Sequence, residues 1–398
     1  MEIVSREETS EDRYSRFRLI PWWDQSRIAQ SRVLVIGAGA LGNEILKNLA
    51  LLGFRNIVVV DSDSIEVTNL SRTVLYRAED VGELKAVVAA RAYCKLAGDA
   101  RVQPIAANVV HGCGLGLFEW ADLILAGLDN REARLWINRA AWKMGRPWID
   151  GAIEGINGVA RVFLPGQAPC YECTLGEVDW SILNRRMSCN LLLHRGDSEG
   201  KVPTTPTISS IIAGIEVQEA VKLLHNLPTL AGRGFVFEGL NHSSYTVEYT
   251  ENPDCMSHYK IPRLIGLEQA SSALSPMDIW NRARHELAAE QVALEFSREV
   301  IHRLVCPKCG EAEELFAPVG SIFFDQATCA RDGHNRIVET IHGFTGNEPW
   351  GNRKFDQLGL PLFDVVTARS GEQEVGYLFD GDRKNILGVL AGNGSARP

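Results

Sequence analysis

The sequence predicts an α/β chain: a mainly parallel sheet in the larger N-terminal part, then a smaller C-terminal α+β domain. Three observations lead there. An apolar run at residues 33–36 passes directly into Gly37-Ala38-Gly39-Ala40-Leu41-Gly42. Apolar residues at helical spacing follow over 43–52, and a second apolar run at 57–60 closes on Asp61. Strand, helix and strand in that length form a right-handed parallel crossover, which binds its ligand at the carboxyl ends of the strands. The sheet is therefore expected to be Rossmann-like.

The remaining elements extend this pattern. Apolar runs at 102–106, 123–126 and Trp148-Ile149 supply further strands, with helical stretches over 84–96 and 131–144 between them. After Gly151 comes a run at 159–164, then a polar excursion with a crossover segment at 176–206. A long apolar helix is expected over 207–224, and paired strands at 235–237 and 245–249. These limits make residues 1–258 one domain, 259–275 a linker, and 276–398 a second domain. Within the latter a helix is expected over 277–304, then a Cys-rich insertion and a late strand at 374–379. No internal repeat or low-complexity tract is expected.

Composition narrows the function classes. With 398 residues, 45% hydrophobic and 23% charged, the chain can bury a substantial core in about two or three domains. The net charge of −9 argues against a nucleic-acid-binding or anionic-membrane surface. No apolar run reaches the ~18 residues of a membrane span. The charged N-terminus lacks an apolar signal region, so the chain is expected to be cytoplasmic. Of nine cysteines, four form two C-x-x-C pairs, which in a reducing compartment read as metal ligands. Cys94, in a helical pattern, and Cys113, between glycines, read as packing residues.

Three signals follow one another toward the candidate site. The glycine turn opens a helix whose free amides and dipole suit phosphate oxygens. Asp61, ending the next strand, is placed to accept hydrogen bonds from ribose hydroxyls, a feature shared with dehydrogenases. After Asn69, Arg72 and Lys85 bring two cations to the phosphates, and Asp129, ending a later strand, is expected to hold Mg²⁺. Attack of a carboxylate on an α-phosphate builds charge that such cations stabilise, whereas hydride transfer has no use for them. A solvated loop with surface ion pairs is the plainer alternative for each residue taken singly. Cys170 and Cys173 make half of a tetrahedral zinc site.

Here the wording becomes specific. Ile36-Gly-Ala-Gly-Ala-Leu-Gly-Asn-Glu-Ile-Leu-Lys-Asn-Leu-Ala-Leu-Leu-Gly-Phe54 and Asp61-Ser-Asp-Ser-Ile-Glu-Val-Thr-Asn-Leu-Ser-Arg72 resemble the adenylation domain of ubiquitin-activating enzymes. So do Gly127-Leu-Asp-Asn-Arg-Glu-Ala-Arg134 and Leu164-Pro-Gly-Gln-Ala-Pro-Cys-Tyr-Glu-Cys-Thr174. The family includes molybdopterin-synthase and thiamine-biosynthesis adenylyltransferases, and the wording is nearer the catalytic subunits that activate ubiquitin-like modifiers. The resemblance covers residues 13–258 and leaves out the C-terminal third.

The resemblance implies that Gly37, Gly39, Ala40 and Gly42 surround ATP, that Asp61 binds its ribose, and that Asn69, Arg72 and Lys85 contact its phosphates. Asp129 would organise Mg²⁺ with Asn130 alongside. Arg13-Tyr14-Ser15-Arg16 resembles a motif whose second arginine reaches the partner subunit's ATP, so Arg16 is the candidate in a homodimer; Phe17 stands where the motif has glutamine. The zinc partners of Cys170 and Cys173 would be Cys255 and His258. Cys189, beside Arg185 and Arg186 and near His194, would receive the activated acyl group. Cys306-Pro307-Lys308-Cys309-Gly310 resembles one knuckle of a zinc ribbon, with Cys329 and His334 completing it and His302 as an alternative ligand.

The expected activity is ATP-dependent adenylation of a ubiquitin-like protein at its C-terminal glycine, thioester formation on Cys189 and transfer to a conjugating enzyme. Three alternatives stay open at this point. One is adenylation of a sulfur carrier, another an NAD-dependent dehydrogenase, and the third a zinc-stabilised interaction protein without activity.

Overall fold

A computed structural model of the chain describes residues 11–167, 169–188 and 203–392. Helix α1 (Gln25–Gln30) starts at Asp24, whose carboxylate accepts the Ser26 and Arg27 amides, and it leads into strand β1 (Arg32–Ile36). Then come α2 (Ala40–Leu52), β2 (Asn56–Val60), α3 (Lys85–Leu96) and β3 (Arg101–Ile105). Gly53 stops α2 in the left-handed region at φ 88°, a conformation that a Cβ would strain. Two short helices, α4 (Val109–Gly112) and α5 (Leu115–Trp120), precede β4 (Leu123–Gly127). Helix α6 (Arg131–Met144) runs from an Asn130 cap to Gly145, which ends it at φ 65°. A hairpin of β5 (Trp148–Glu154) and β6 (Asn157–Phe163) leads through α7 (Glu177–Ser188) and α8 (Pro206–Leu224) to β7 (Arg233–Glu238) and β8 (Ser243–Glu248).

These strands form one eight-stranded sheet in the order β3-β2-β1-β4-β5-β6-β7-β8. The first five are parallel and the last three antiparallel. Parallel strands are covered on both faces, which explains their unbroken apolar runs. Val33, Val35, Ile57 and Val59 enter a core with α2, α3 and α8. Their neighbours Leu34, Ile36, Val58 and Val60 enter a second core with α5 and α6. The strand order reverses between the parallel neighbours β1 and β4, so the carboxyl ends of β1, β2 and β4 open a crevice there.

The second sheet holds β9 (Leu264–Leu267), β10 (Ala293–Val305), β11 (Ala312–Pro318), β12 (Ile337–Phe344), β13 (Val365–Ser370) and β14 (Gln373–Phe379). Its path is β11-β10-β13-β14-β9, with β12 also paired to β10. Two expectations are corrected here. The segment expected as a linker contributes β9, which pairs in parallel with β14. The helix expected over 277–304 stops early: α9 (Pro276–Glu286) is followed by Ala288 at φ 48° and then by β10. Ala, Glu and Gln at 288–291 favour helix locally, but Val292, Leu294 and Phe296 bury alternate side chains and β10 gains three neighbouring strands. Tertiary pairing overrides the local preference.

The two sheets share a core. Phe363, Val365 and Leu378, with Leu387 of α10 (Arg383–Leu387) and Leu390, pack in the same cluster as Leu34, Ile36, Val58 and Val60. The Gly116 amide donates to the Phe363 carbonyl at 2.9 Å, and the Leu115 amide to the Asp364 carboxylate at 2.8 Å. Among the described residues no helix is long and apolar enough to cross a membrane.

Candidate active site

Glycine is required where the β1–α2 turn meets the rest of the sheet. Gly37 sits at φ 92°, and a Cβ there would overlap the Gly127 carbonyl. A Cβ on Gly42 would overlap the Gly37 carbonyl oxygen. Gly39 differs: a Cβ there meets nothing within 4 Å. Gly39 is the N-cap of α2, so the unsatisfied amides of the first turn, beginning at Ala40, border open space. That is the environment a phosphate takes at a helix N-terminus.

The turn is held from below by side chains the motif alone did not single out. Asn43, fully buried, donates to the Ala38 and Gly39 carbonyls at 2.7 and 3.0 Å and accepts the Leu75 amide at 2.9 Å. The Tyr76 hydroxyl donates to the Ala38 carbonyl at 2.6 Å. Asp61 accepts the Ala38 amide at 2.7 Å and the Asp63 amide at 2.8 Å. Burial pushes the Asp61 carboxyl up, against the pull of the nearby Lys85 charge.

Lys85, with its side chain 12% exposed, pairs with Asp63 at 2.7 Å and so carries its ammonium to the edge of the crevice. Arg72 folds back to donate to the Thr68 carbonyl at 2.9 Å, and the buried Asn69 accepts the Glu66 amide at 2.9 Å. The geometry thus brings Asp61 and Lys85 together at the turn, while Asn69 and Arg72 brace the following loop. Asp129 is exposed just past the end of β4, and Asn130 accepts the Ala133 amide at 2.8 Å as the cap of α6.

Beneath that loop lies a buried ion network. Arg134 pairs with the fully buried Asp150 at 2.7 Å and donates to the Gly151 carbonyl at 3.1 Å; Arg161 pairs with the other Asp150 oxygen. Burial would raise the Asp150 carboxyl, but the two guanidiniums outweigh it and hold it below the usual range. The network fixes the ends of β4 and β5 and hence the approach to Asp129.

Arg16 is exposed beside the turn Phe17–Leu19. Its neighbours lie against the C-terminal ends of helices: the Arg13 guanidinium donates to the Leu96 carbonyl at 2.6 Å, and the Asp24 amide to His225 at 2.9 Å. Those helix ends lie at the edge of the sheet opposite the glycine turn. Cys189 and His194 fall outside the described residues, and so does the geometry around the expected nucleophile. Helix α7, which ends at Ser188, starts beside the Asp129 loop, where Asp179 pairs with Arg131 at 2.7 Å.

The first metal group has come together from distant parts of the chain. Sγ of Cys170 lies 3.8 Å from that of Cys173 and 3.5 Å from that of Cys255, and Cys173 Sγ lies 3.3 Å from His258 Nε2. A tetrahedral zinc with bonds of about 2.0–2.3 Å has ligand–ligand edges of about 3.5–3.8 Å, so these four atoms fit it. Outer partners are in place: Asn138 donates to Cys170 Sγ at 3.4 Å, and Glu251 lies 3.5 Å from His258 Nδ1. The Trp142 indole stacks on the His258 ring at 4.5 Å.

In the second group Cys306, Cys309 and Cys329 meet as expected, but the fourth ligand atom comes from Asp332. His334 does not join it; its ring is half-exposed, with Nδ1 3.4 Å from the Asp332 carboxylate. His302 is turned to Glu314 at 3.6 Å and lies against Phe316. Cys113 is buried, which pushes its thiol up to about 12 and fits a packing role. Cys94 is exposed on α3, not a core residue, because the apolar stripe of that helix turns Tyr93 inward instead.

Comparison with known proteins places this geometry in a known setting. Residues 12–257 match the family described as the ThiF family. The "NEDD8-activating enzyme E1 catalytic subunit" of Arabidopsis thaliana is 43% identical over 157 residues, which are 36% of this chain and 34% of that protein. The "Sulfur carrier protein adenylyltransferase" of Thermus thermophilus is 30% identical over 259 residues, 61% of this chain and 89% of that protein. The crystal structure of E. coli MccB with ATP has a TM-score of 0.52 at 23% identity, covering 63% of this chain and 75% of that one, a likeness of fold alone. The match spans about a third of the length of the NEDD8-activating relatives.

Proposed function

The chain belongs to the ThiF family, and from that premise we propose that it activates a ubiquitin-like protein by adenylating its C-terminal glycine. The observation that carries this reading is the convergence of the open Gly39 cradle, Lys85 and the exposed Asp129 on the carboxyl ends of β1, β2 and β4. The triphosphate of ATP lies on the α2 amides, with the ribose at Asp61. A carboxylate oxygen of the modifier attacks the α-phosphorus, and the bond to the bridging oxygen breaks and releases pyrophosphate. Lys85 and Arg72 balance the charge that builds on the phosphates. Asp129, beside Asn130, would hold Mg²⁺, which would supply charge neutralisation at the phosphate oxygens. The Cys189 thiolate then attacks the acyl carbon, AMP leaves, and a thioester remains.

Arg16 sits at the far edge of the sheet from its own crevice, so it serves a neighbour's ATP in a homodimer. The C-terminal domain receives the conjugating enzyme. Cys170, Cys173, Cys255 and His258 would hold a structural zinc, which would tie the start of the crossover to the end of the domain. This is a cytoplasmic enzyme.

Pyrophosphate exchange into ATP, with candidate proteins ending in glycine, tests the first step; a thiol-sensitive adduct lost in Cys189→Ala tests the second. Binding of NAD with no exchange would overturn the reading. A second reading, adenylation of a sulfur carrier, is favoured by the Thermus relative, which aligns over 89% of its own length. It predicts exchange with a sulfur-carrier protein and, once a protein persulfide is supplied as sulfur donor, a persulfide-linked intermediate on Cys189 in place of a modifier thioester.

A further inference from the structure

The insertion between β10 and β12 contains one turn built twice. Cys306-Pro307-Lys308-Cys309-Gly310-Glu311 and Cys329-Ala330-Arg331-Asp332-Gly333-His334 correspond position by position. In the first, the Gly310 amide donates to the Cys306 carbonyl at 3.0 Å and the Cys306 amide to the Glu311 carbonyl at 2.8 Å. In the second, the Gly333 amide donates to the Cys329 carbonyl at 2.9 Å and the Cys329 amide to the His334 carbonyl at 2.8 Å. Both glycines need positive φ, 73° and 70°. In each copy two backbone amides of the turn lie near the leading sulfur, those of Lys308 and Cys309 in one and of Arg331 and Asp332 in the other. By this correspondence Asp332 stands where the first turn has Cys309.

We propose that the two turns clasp a tetrahedral zinc ion through Cys306, Cys309, Cys329 and the Asp332 carboxylate, with His334 contributing only its backbone. The distances suit this ligand set. Cys309 Sγ lies 3.8 Å from Cys329 Sγ, and Cys306 Sγ lies 3.4 Å from Asp332 Oδ2. Zinc–sulfur bonds of about 2.3 Å and a zinc–oxygen bond of about 2.0 Å give sulfur–sulfur edges of about 3.8 Å and sulfur–oxygen edges of about 3.5 Å. Asp332 Oδ1 accepts the His334 amide at 3.0 Å, which fixes the carboxylate with Oδ2 toward the sulfurs. Three thiolates select zinc over the hard cations, and one carboxylate is within its ligand range.

Charge and packing supply the context. Three thiolates and a carboxylate around a dication leave excess negative charge; Arg336, its side chain 7% exposed, lies against Cys329 and pairs with Glu313. Among the described residues the local apolar cluster is small, with Ile301, Leu304 and Ala327 buried and Leu315, Val319, Ile322, Phe324 and Val338 partly buried around them, too little to order two turns unaided. Metal binding therefore supplies folding free energy here.

The test is zinc content and release in the full chain. Cys309→Ser and Asp332→Ala should each hold one zinc equivalent fewer than wild type, while His334→Ala should keep the wild-type content and release rate. Asp332→Cys should keep the content and release zinc to a chelator at least about 10-fold more slowly, since thiolate suits zinc better than carboxylate. Unchanged zinc in Cys309→Ser would overturn the site. Loss of an equivalent in His334→Ala would overturn the ligand set, and it decides the matter even if Asp332→Ala fails to fold.

Discussion

The guanidinium of Arg298 lies over the indole of Trp136, 4.4 Å from the ring centroid, and so fastens the longest strand of the second sheet to helix α6 of the first domain. It also donates to the carbonyls of Val110 and Cys113, the latter at 2.7 Å. Arg298→Ala removes one donor from two part-buried carbonyls together with the ring contact, and should cost about 3 kcal/mol of unfolding free energy in urea. Arg298→Lys should recover less than half, because an ammonium cannot fork to two carbonyls and stack at once.

Gly39 and Gly42 should respond oppositely to alanine. Gly42→Ala drives a methyl into the Gly37 carbonyl and should destabilise the chain by about 1–3 kcal/mol. Gly39→Ala meets open space, so the melting point should hold while ATP affinity falls, as read by calorimetry. Unchanged ATP affinity in Gly39→Ala would place the phosphates elsewhere.

Asp129 is exposed, so Asp129→Ala should leave unfolding free energy within about 0.5 kcal/mol of wild type. Pyrophosphate exchange should nevertheless drop by about 10²–10³, the size of losing one charge-organising group. Full exchange activity would remove Asp129 from the Mg²⁺ site.

Acid should weaken the contact between the domains through His111. Burial, with the Arg298 charge nearby, pulls its imidazole down from 6.5 to about 4. The unfolded chain takes up this proton below pH 6.5 and the folded chain does not until about 4, so stability present above pH 6.5 is lost as pH falls between those values. The loss is up to about 3 kcal/mol at 1.36 kcal/mol per unit. His111→Gln should show a correspondingly shallower fall between pH 7.5 and 4.5; parallel curves would show that the imidazole titrates normally.

The first domain was legible in the sequence because its strands are buried on both faces and its turns carry glycine for steric reasons. The runs at β1, β2 and β4 and the caps of α6 needed no tertiary information. Strand β10 was not legible, since its residues favour helix until β11, β12 and β13 pair with it. At the glycine turn, Asp61 is suggested by its spacing from Gly37 and Lys85 by resemblance, whereas the contacts of Asn43, Tyr76 and Asp63 are encoded by no motif. Asp332 did leave a trace: C-x-x-D-G repeats C-x-x-C-G, with a carboxylate in the place of the second thiol. Arg16 was identified by motif, but its position across the sheet from the crevice emerges only from the packing of the N-terminal segment.

The apolar face formed by Leu34, Ile36, Val58 and Val60 is closed by Phe363, Val365 and Leu378, residues from more than two hundred positions further along. Recombination that moved the first 258 residues alone into another gene would carry half of an interior without its lid. In this chain, therefore, the side chains of the late strands must fit what the earliest ones expose.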